Sequence, residues 1–532
     1  MCIVMQRLPF LFFDSCLTWH EKKRYLTNHT LRGWIGKVLF VKSMNTELSK
    51  ETRDFSGKGK NQAIVILGAG LAGLSCTLQL AKKGYSNITI LERESDVGGL
   101  ANSLQYKNHT SDFGPHRIHT EIKRVEDFLH EFAGDLLVRR KRISHMWLDK
   151  RFIPYPPGFI SSLGHFGLYQ MMRFTASYVG CRLGSLKSRK EAASYETVMQ
   201  KAFGKALYEA IIKPYTEKTW GIRGEEISPD VAHARVSAGG FAALAKRLFV
   251  REKKGKETSL KEFGYVPGGI KNLAVRLREL LLKKDVRIML DSEVKGFSKA
   301  KQGSLDIHFN KQGTEQTLEA DFCFSTIPLP ELIDYLHRIN PSGIAKKAAS
   351  ELEYLSMILV FVRVGKPGIS KDTWLYFPER DIIFNRGYEA KNYDPNMGPE
   401  RETLICLEIT CRKQDQIWSA GDEEIKQRVF RDLLKTGLVK KEEIMDGATV
   451  FLSHAYPVYK KGYYENLKVL WGYLEQIPWL ISLGRQGQFH HNNMDHSLYE
   501  GIIAADYFAT RENASRQWYR DETQFRRLRI VD

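Results

Sequence analysis

Three glycines carry the first chemistry legible in this chain. Gly68, Gly70 and Gly73 stand in the spacing G-x-G-x-x-G. The apolar run AIVIL at 63–67 precedes them and reads as a short buried strand. Leu71, Leu74, Leu78 and Leu80 follow on an expected helix over 71–83, with Gly84 at the position where a helix C-terminus takes glycine. The run ITIL at 88–91 reads as a second buried strand, closed by Glu92. Strand, glycine turn, helix, strand and acid form the βαβ unit that binds dinucleotides. Gly68 permits the tight turn, Gly70 lets the backbone approach a pyrophosphate, and Gly73 lets the helix pack on the sheet. The backbone of Ala69, Leu71 and Ala72 at the helix N-terminus presents N–H groups and a positive dipole end to the phosphates. Glu92 is placed to accept hydrogen bonds from a ribose diol. NAD and FAD share this fingerprint.

The following residues separate the two. Gly98 and Gly99 come after Glu92 in the pattern E-x-x-x-x-x-G-G, which resembles the amine-oxidase superfamily of flavoproteins. The resemblance implies FAD, and it implies that Arg93, Gly98, Gly99 and Leu100 lie along it. Downstream, YVPGG at 265–269, Val294 in the triplet SEV, and ADFCFSTIPLP at 320–330 are similar to later segments of the same FAD-binding domain. The likeness extends over residues 61–510. No cysteine suggests itself as a flavin link, so the FAD is expected to be noncovalent.

At the flavin end, FGPHRIHT at 113–120 resembles the G-P-H-x-x-H-T block of UDP-galactopyranose mutases, and a G-G-H-R segment of protoporphyrinogen-oxidase-like proteins is related to it. The resemblance implies that Gly114, Pro115 and His116 lie against the isoalloxazine. Arg117 departs from the mutase pattern. The block GRQGQFHHNNMDHS at 484–497 resembles the segment that brings a helix N-terminus to the flavin pyrimidine, where negative charge accumulates on reduction. Asn493, Met494 and Asp495 are its expected contacts, with a plain helix cap as the other reading of Asp495. Arg485 is expected to face the FAD or an anionic substrate. His116, Arg485 and Asp495 are the catalytic candidates. Tyr215, Lys218 and Trp220 in PYTEKTWG, Arg235 after ISPD, and Tyr456 and Tyr459 in YPVY are the substrate-side candidates; packing is the competing role for about half of them.

Three functions fit these motifs. The first is an FAD-dependent oxidoreductase of amine oxidase or protoporphyrinogen oxidase type, taking a hydride from an organic substrate. The second is a redox-neutral sugar-nucleotide mutase that uses reduced FAD. The third is a non-enzymatic FAD-binding protein. The sequence favours the first; the electron acceptor, or an NAD(P)H reductant, is left open.

The elements needed to hold these groups define the fold class: α/β, a Rossmann-like FAD-binding domain interleaved with an α+β substrate domain. Residues 61–120, 265–335 and 465–515 are assigned to the FAD domain. Residues 121–264 and 336–464 fall to the substrate domain, 1–60 to an N-terminal extension of low order, and 516–532 to a C-terminal tail. An apolar content of 43% and a charged content of 27% are those of a globular chain. The net charge of +18 favours anionic partners, although it is spread widely and reads first as solvated loops. Neither zinc-finger spacing nor an RNA-binding signature is present, so nucleic acid is not an expected partner. His116 and His119 lack further ligands for a metal. Seven scattered cysteines without a C-x-x-C pair fit a reducing cytoplasm. The apolar, aromatic stretch 159–182 is broken by glycines, His165 and Arg173, too often to span a bilayer. It reads as a buried helix of the substrate domain, with peripheral membrane contact as the alternative.

Overall fold

The computed structural model describes residues 59–155, 159–187, 194–236, 261–300, 304–521 and 525. The expected N-terminal extension lies outside the described residues up to position 58. The first βαβ unit forms as its pattern dictates, with strand Ile64–Leu67, helix Leu71–Lys82 and strand Ile88–Leu91. Both strands are buried along their whole length, as a parallel sheet covered on two faces requires. Gly84 adopts φ +90° directly after the helix.

These strands belong to a five-stranded parallel sheet assembled from distant parts of the chain. Its order is Leu480–Ser482, Phe322–Ser325, Ile64–Leu67, Ile88–Leu91, Arg287–Met289. Helices Leu71–Lys82 and Met494–Thr510 pack against each other closely enough that Gly501 faces Ser75 and the Ala72 carbonyl. A three-stranded antiparallel sheet follows in the order Ser292–Lys299, Leu305–Lys311, Thr314–Ala320.

A seven-stranded mixed sheet forms the second centre. Its order is Ile444–Pro457, Tyr354–Val364, Thr403–Cys411, Arg386–Glu389, Trp374–Tyr376, Ser144–Leu148, Arg151–Pro154. Tyr354–Val364 is apolar nearly throughout because both of its faces are covered. Ile358, Val360, Val362 and Val364 pack toward Ile425, Val429 and Leu433 of helix Asp422–Lys435. Met357, Leu359 and Phe361 pack toward Tyr265, Tyr388 and Tyr393 on the other side.

Two expectations need correction. The segment 516–532 is not wholly a tail. Helix Ala514–Arg520 buries Trp518, whose indole donates to the Ser482 carbonyl at 2.9 Å, and Tyr519, whose hydroxyl accepts from Ser482 N at 2.8 Å. Those bonds tie the chain's end to the outermost parallel strand. The stretch 159–182 does form a helix, Phe159–Lys187, but not a buried one: Leu168, Tyr169, Met172, Val179 and Leu183 are exposed. Helix Pro229–Val236 is the last element before residues 237–260, which lie outside the described residues.

Candidate functional site

The carboxyl ends of the parallel strands converge on one cavity. Gly68, Glu92, Thr326 and Gly484 each follow a strand of that sheet, and all four line the cavity. Ligands of open α/β sheets bind in this position. The cavity volume is about 1050 Å³, at the top of the range of roughly 300–1,000 Å³ for ordinary ligand pockets. It extends to the seven-stranded sheet, where Trp374, Tyr376, Arg386, Glu408 and Tyr456 form its far wall.

The nucleotide end is built by close backbone approach. A Cβ on Gly73 would lie 2.1 Å from the Gly68 carbonyl oxygen, so only glycine allows the helix to start there. Gly70 opens onto free space. Helix Leu71–Lys82 starts with no side-chain cap and no acid in its first turn, which leaves N–H groups for an anion. Glu92 is held by the amides of Ala69 at 2.6 Å and Glu94 at 2.9 Å, and burial pushes its carboxyl above the usual range. Leu71, Ala72, Arg93, Gly98, Gly99, Leu100 and Val294 line the same end. Ala69 and Gly73 do not; they shape the turn from behind, and Gly73 performs the packing role assigned to it.

At the other end lie Gly114, Pro115, His116, Arg485, Asn493 and Met494. Helix Met494–Thr510 begins at Asn493 with no side-chain cap, and Ser497 in its first turns also faces the cavity. Asp495 is neither the cap nor a lining residue. It is buried inside the first turn, and its Oδ1 has no hydrogen-bond partner among the described residues. Gly114 has φ +99°, and a Cβ there would lie 2.9 Å from Glu408 Oε1. The turn is thus fitted to a carboxylate that the motif did not predict.

That carboxylate belongs to a buried cross-strand pair. Arg386 lies opposite Glu408 in antiparallel register. Its guanidinium donates to Glu408 Oε2 from Nε at 2.9 Å and Nη2 at 2.6 Å, and to the Tyr456 hydroxyl at 2.8 Å. Arg485 has no carboxylate partner among the described residues. It donates to the carbonyls of Asn492 at 2.6 Å and Ala455 at 3.3 Å and stacks 5.2 Å from the Tyr456 ring centre. Burial lowers its pKa. His116, buried next to this charge, is pushed down to about 4, by burial first and Arg485 second, and is neutral near pH 7. Arg117, the departure from the mutase block, lies 5.2 Å from the Trp374 ring centre and lines the cavity with Arg142.

Several buried polar atoms on the cavity wall lack partners among the described residues. They are His116 Nδ1, Arg142 Nε, Thr219 Oγ1, Trp374 Nε1, Glu408 Oε1 and Gln486 Oε1. Buried polar groups are rarely left unpaired, so their grouping on one surface fits a polar ligand. Together with the glycine cradle and the uncapped helix, they make the residues present a fit for a flavin dinucleotide.

The substrate-side candidates divide. Tyr215, Trp220 and Tyr456 line the cavity. Lys218 does not: its ammonium donates to the carbonyls of Phe377, Glu379 and Phe384 at 2.6–2.8 Å, a structural clamp, while burial pushes its pKa down to about 7. Tyr459 also sits outside the cavity wall, stacked on Tyr463 at 4.4 Å and accepting from His491 N at 2.7 Å. Arg235 falls on helix Pro229–Val236, and its side chain lies outside the described residues. Arg142, Trp374, Arg386 and Glu408 were missed. Only Glu408 carried a signal, as a lone acid in the apolar run TLICLEITC.

Comparison with known proteins agrees with this geometry. A probable UDP-galactopyranose mutase of Klebsiella pneumoniae is 27% identical over 196 residues, 36% of this chain and 46% of that protein. This chain therefore spans less than half the length of that relative. The solved structure of reduced UDP-galactopyranose mutase superposes with a TM-score of 0.73 at 21% identity, covering 89% of this chain and 98% of that one. A putative protoporphyrinogen oxidase from Exiguobacterium sp. 255-15 follows with a TM-score of 0.65 at 17% identity, covering 84% and 98%. The model of the flavin containing amine oxidoreductases matches residues 71–465, well over half of the chain. The chain belongs to the family of flavin-containing amine oxidoreductases, and its cofactor is FAD.

Proposed function

We propose that this protein is a flavoenzyme for an anionic small molecule of the sugar-nucleotide class, and that its reaction is redox-neutral, of the mutase type. The observation that carries this reading is the charge of the cavity's far end. Arg117, Arg142, Arg386 and Arg485 line the cavity together with the carboxylate of Glu408, while Glu92 and Glu94 line it beside the glycine turn. A protonated amine would meet repulsion at the arginine end, whereas a diphosphate would find charge-assisted donors. The likeness to the Klebsiella mutase over 196 residues supports the same choice.

In this reading the Gly68–Gly73 turn and the Leu71–Lys82 helix hold the FAD pyrophosphate, and Glu92 holds the ribose. Gly98, Gly99, Leu100, Arg93 and Val294 follow the adenosine half. Gly114, Pro115, neutral His116 and the Met494–Thr510 helix N-terminus surround the ring. Reduced FAD supplies the nucleophile for the sugar's anomeric carbon. Arg485 and Arg142 stabilise the departing diphosphate, and Tyr215, Trp220 and Tyr456 hold the sugar or base by stacking. Glu408 keeps Arg386 oriented, and Asp495 acts on the helix start rather than on substrate.

Hydride transfer from an organic substrate to FAD is the second reading. The pairing of Arg386 with Glu408 favours it, because it removes one cation from the balance, and so do the aromatic walls of Tyr155, Tyr215, Trp220 and Tyr376, which suit a flat apolar substrate. Titration of the purified holoprotein with UDP, followed in the visible spectrum of oxidised and reduced flavin, separates the two. The mutase reading expects the reduced spectrum to shift at micromolar UDP. A spectrum indifferent to UDP in both states, with reduction by an organic donor, would sink it.

A further inference from the structure

The helix Phe159–Lys187 presents an apolar stripe to the outside. Gly167, with φ +70° and ψ 170°, breaks it, so the run after Gly167 acts as one helical segment. On that segment Leu168 is 66% exposed, Met172 56%, Val179 47% and Leu183 58%, and Tyr169 at their edge is 73% exposed. Their spacing of i, i+4, i+11 and i+15 sets the four aliphatic side chains within one arc of roughly 60° at 100° per residue. The stripe is not an unpacked segment on every side. Phe174, on the opposite face, is 4% exposed and meets the Phe166 ring at 5.4 Å, and Ser177 Oγ accepts from Ala206 N at 3.0 Å. One face is anchored to the protein, and the other carries the apolar stripe. Gly164, Gly167, Gly180 and Gly184 confirm the openness: a Cβ at any of them would meet nothing within 4 Å.

The charges on this helix have one sign. Its 29 residues include no Asp or Glu. Arg173 and Arg182 are exposed and flank the stripe on its two sides, since the helical period puts them at opposite margins of the arc. Lys187 ends the helix, and Arg189 and Lys190 follow in sequence. Apolar side chains between cationic margins, without acids, match a bilayer surface of negative charge. No helix among the described residues is long and apolar enough to cross a membrane, so the matching geometry is an in-plane one. We propose that the Phe159–Lys187 helix docks this enzyme on anionic lipid bilayers, its aliphatic stripe entering the acyl boundary and its arginines meeting the headgroups. This proposal does not depend on which reaction the flavin serves.

Vesicle flotation of the holoprotein tests it. Vesicles of phosphatidylglycerol and phosphatidylcholine at about a 3:7 ratio should carry the protein, pure phosphatidylcholine should carry far less, and added salt should weaken the first. Leu168→Ser, Met172→Ser, Val179→Ser and Leu183→Ser combined should lower binding at least about tenfold. The flavin spectrum should stay unchanged, because none of the four lines the cavity. Arg173→Glu with Arg182→Glu should remove the preference for anionic lipid. Failure of the parent protein to float, or flotation unaffected by the serine substitutions, overturns the proposal. So does sedimentation showing a dimer that the serine variant converts to a monomer without any lipid binding, which assigns the stripe to a second copy of the chain.

Discussion

At the scale of single residues, the site depends on what is left unpaired and on what is packed too closely to change. Arg142 lines the cavity with its Nε unpartnered, so Arg142→Met should leave stability within about 0.5 kcal/mol. Its loss of a charge-assisted bond, about 1.5–3 kcal/mol, should weaken UDP binding by about ten- to a hundredfold in the spectral titration. Gly73→Ala tests the opposite condition. Its Cβ would fall 2.1 Å from the Gly68 carbonyl, on the turn that would cradle phosphate, and 3.3 Å from Ile66 Cγ2 in the strand before it. Overpacking of this kind costs about 1–3 kcal/mol or more, so the purified variant should lose its yellow colour and melt earlier than the parent. The glycines and Glu92 were legible in the sequence because a phosphate turn is local: every part lies between Gly68 and Glu92. Arg386 and Glu408 were not, because they meet only through the register of two strands. No spacing rule joins them, and only the isolated acid within apolar neighbours gave a hint. Lys218 and Tyr459 were read toward the substrate from their motifs, yet the packing turned their polar ends to backbone groups.

At the scale of elements, Asp112 connects the antiparallel hairpin Ser103–Tyr106 and His109–Asp112 to the segment 265–270. Its buried carboxylate accepts from Ser103 Oγ at 2.7 Å, Tyr265 Oη at 2.7 Å and Ile270 N at 2.9 Å, joining three separate stretches. Burial, against these three donors, raises its pKa to about 6. A group whose folded pKa lies above its unfolded value binds its proton more tightly when folded. Its stabilisation is therefore complete below the unfolded pKa and is lost as pH rises toward the folded one. From the ordinary value of 3.8 up to about 6, the loss amounts to about 3 kcal/mol. Asp112→Asn should remove this component, so that between pH 4 and 6 chemical denaturation shows a flatter pH dependence than in the parent. An unchanged slope would mean that the carboxylate titrates as in water. The elements themselves followed the sequence where the apolar pattern was clear, as in Ile64–Leu67, Leu71–Lys82 and Ile88–Leu91. The Phe159–Lys187 helix defeated the reading of burial. Apolar content alone does not say toward which side a stripe faces, and this one faces outward.

At the scale of the whole molecule, the cofactor acts as a structural part. The cavity is walled by residues from Gly68 to Ser497, so a ligand filling it touches segments far apart in the sequence. Binding to the folded state alone stabilises by about 2.7 kcal/mol at a hundredfold excess over Kd. Stripping the flavin should therefore lower the melting temperature by several degrees, and readdition of FAD should restore it in a concentration-dependent way. An apo-protein that melts where the holoprotein does would mean that FAD has no preferential affinity for the folded chain.

The order of the parallel sheet also bears on how the protein is made. Ile64–Leu67 sits at its centre, while its neighbour Phe322–Ser325 comes 258 positions later, and Leu480–Ser482 completes the edge after that. The helix that starts at Met494 leaves the ribosome later still. Until Phe322–Ser325 is made, the central strand can pair on one side only, with Ile88–Leu91, and its other edge stays open, the condition in which non-local parallel pairing is slow and aggregation competes. The flavin pocket is therefore complete only once the segment that starts at Met494 has joined the earlier ones, and FAD binding at that stage would hold the distant segments together.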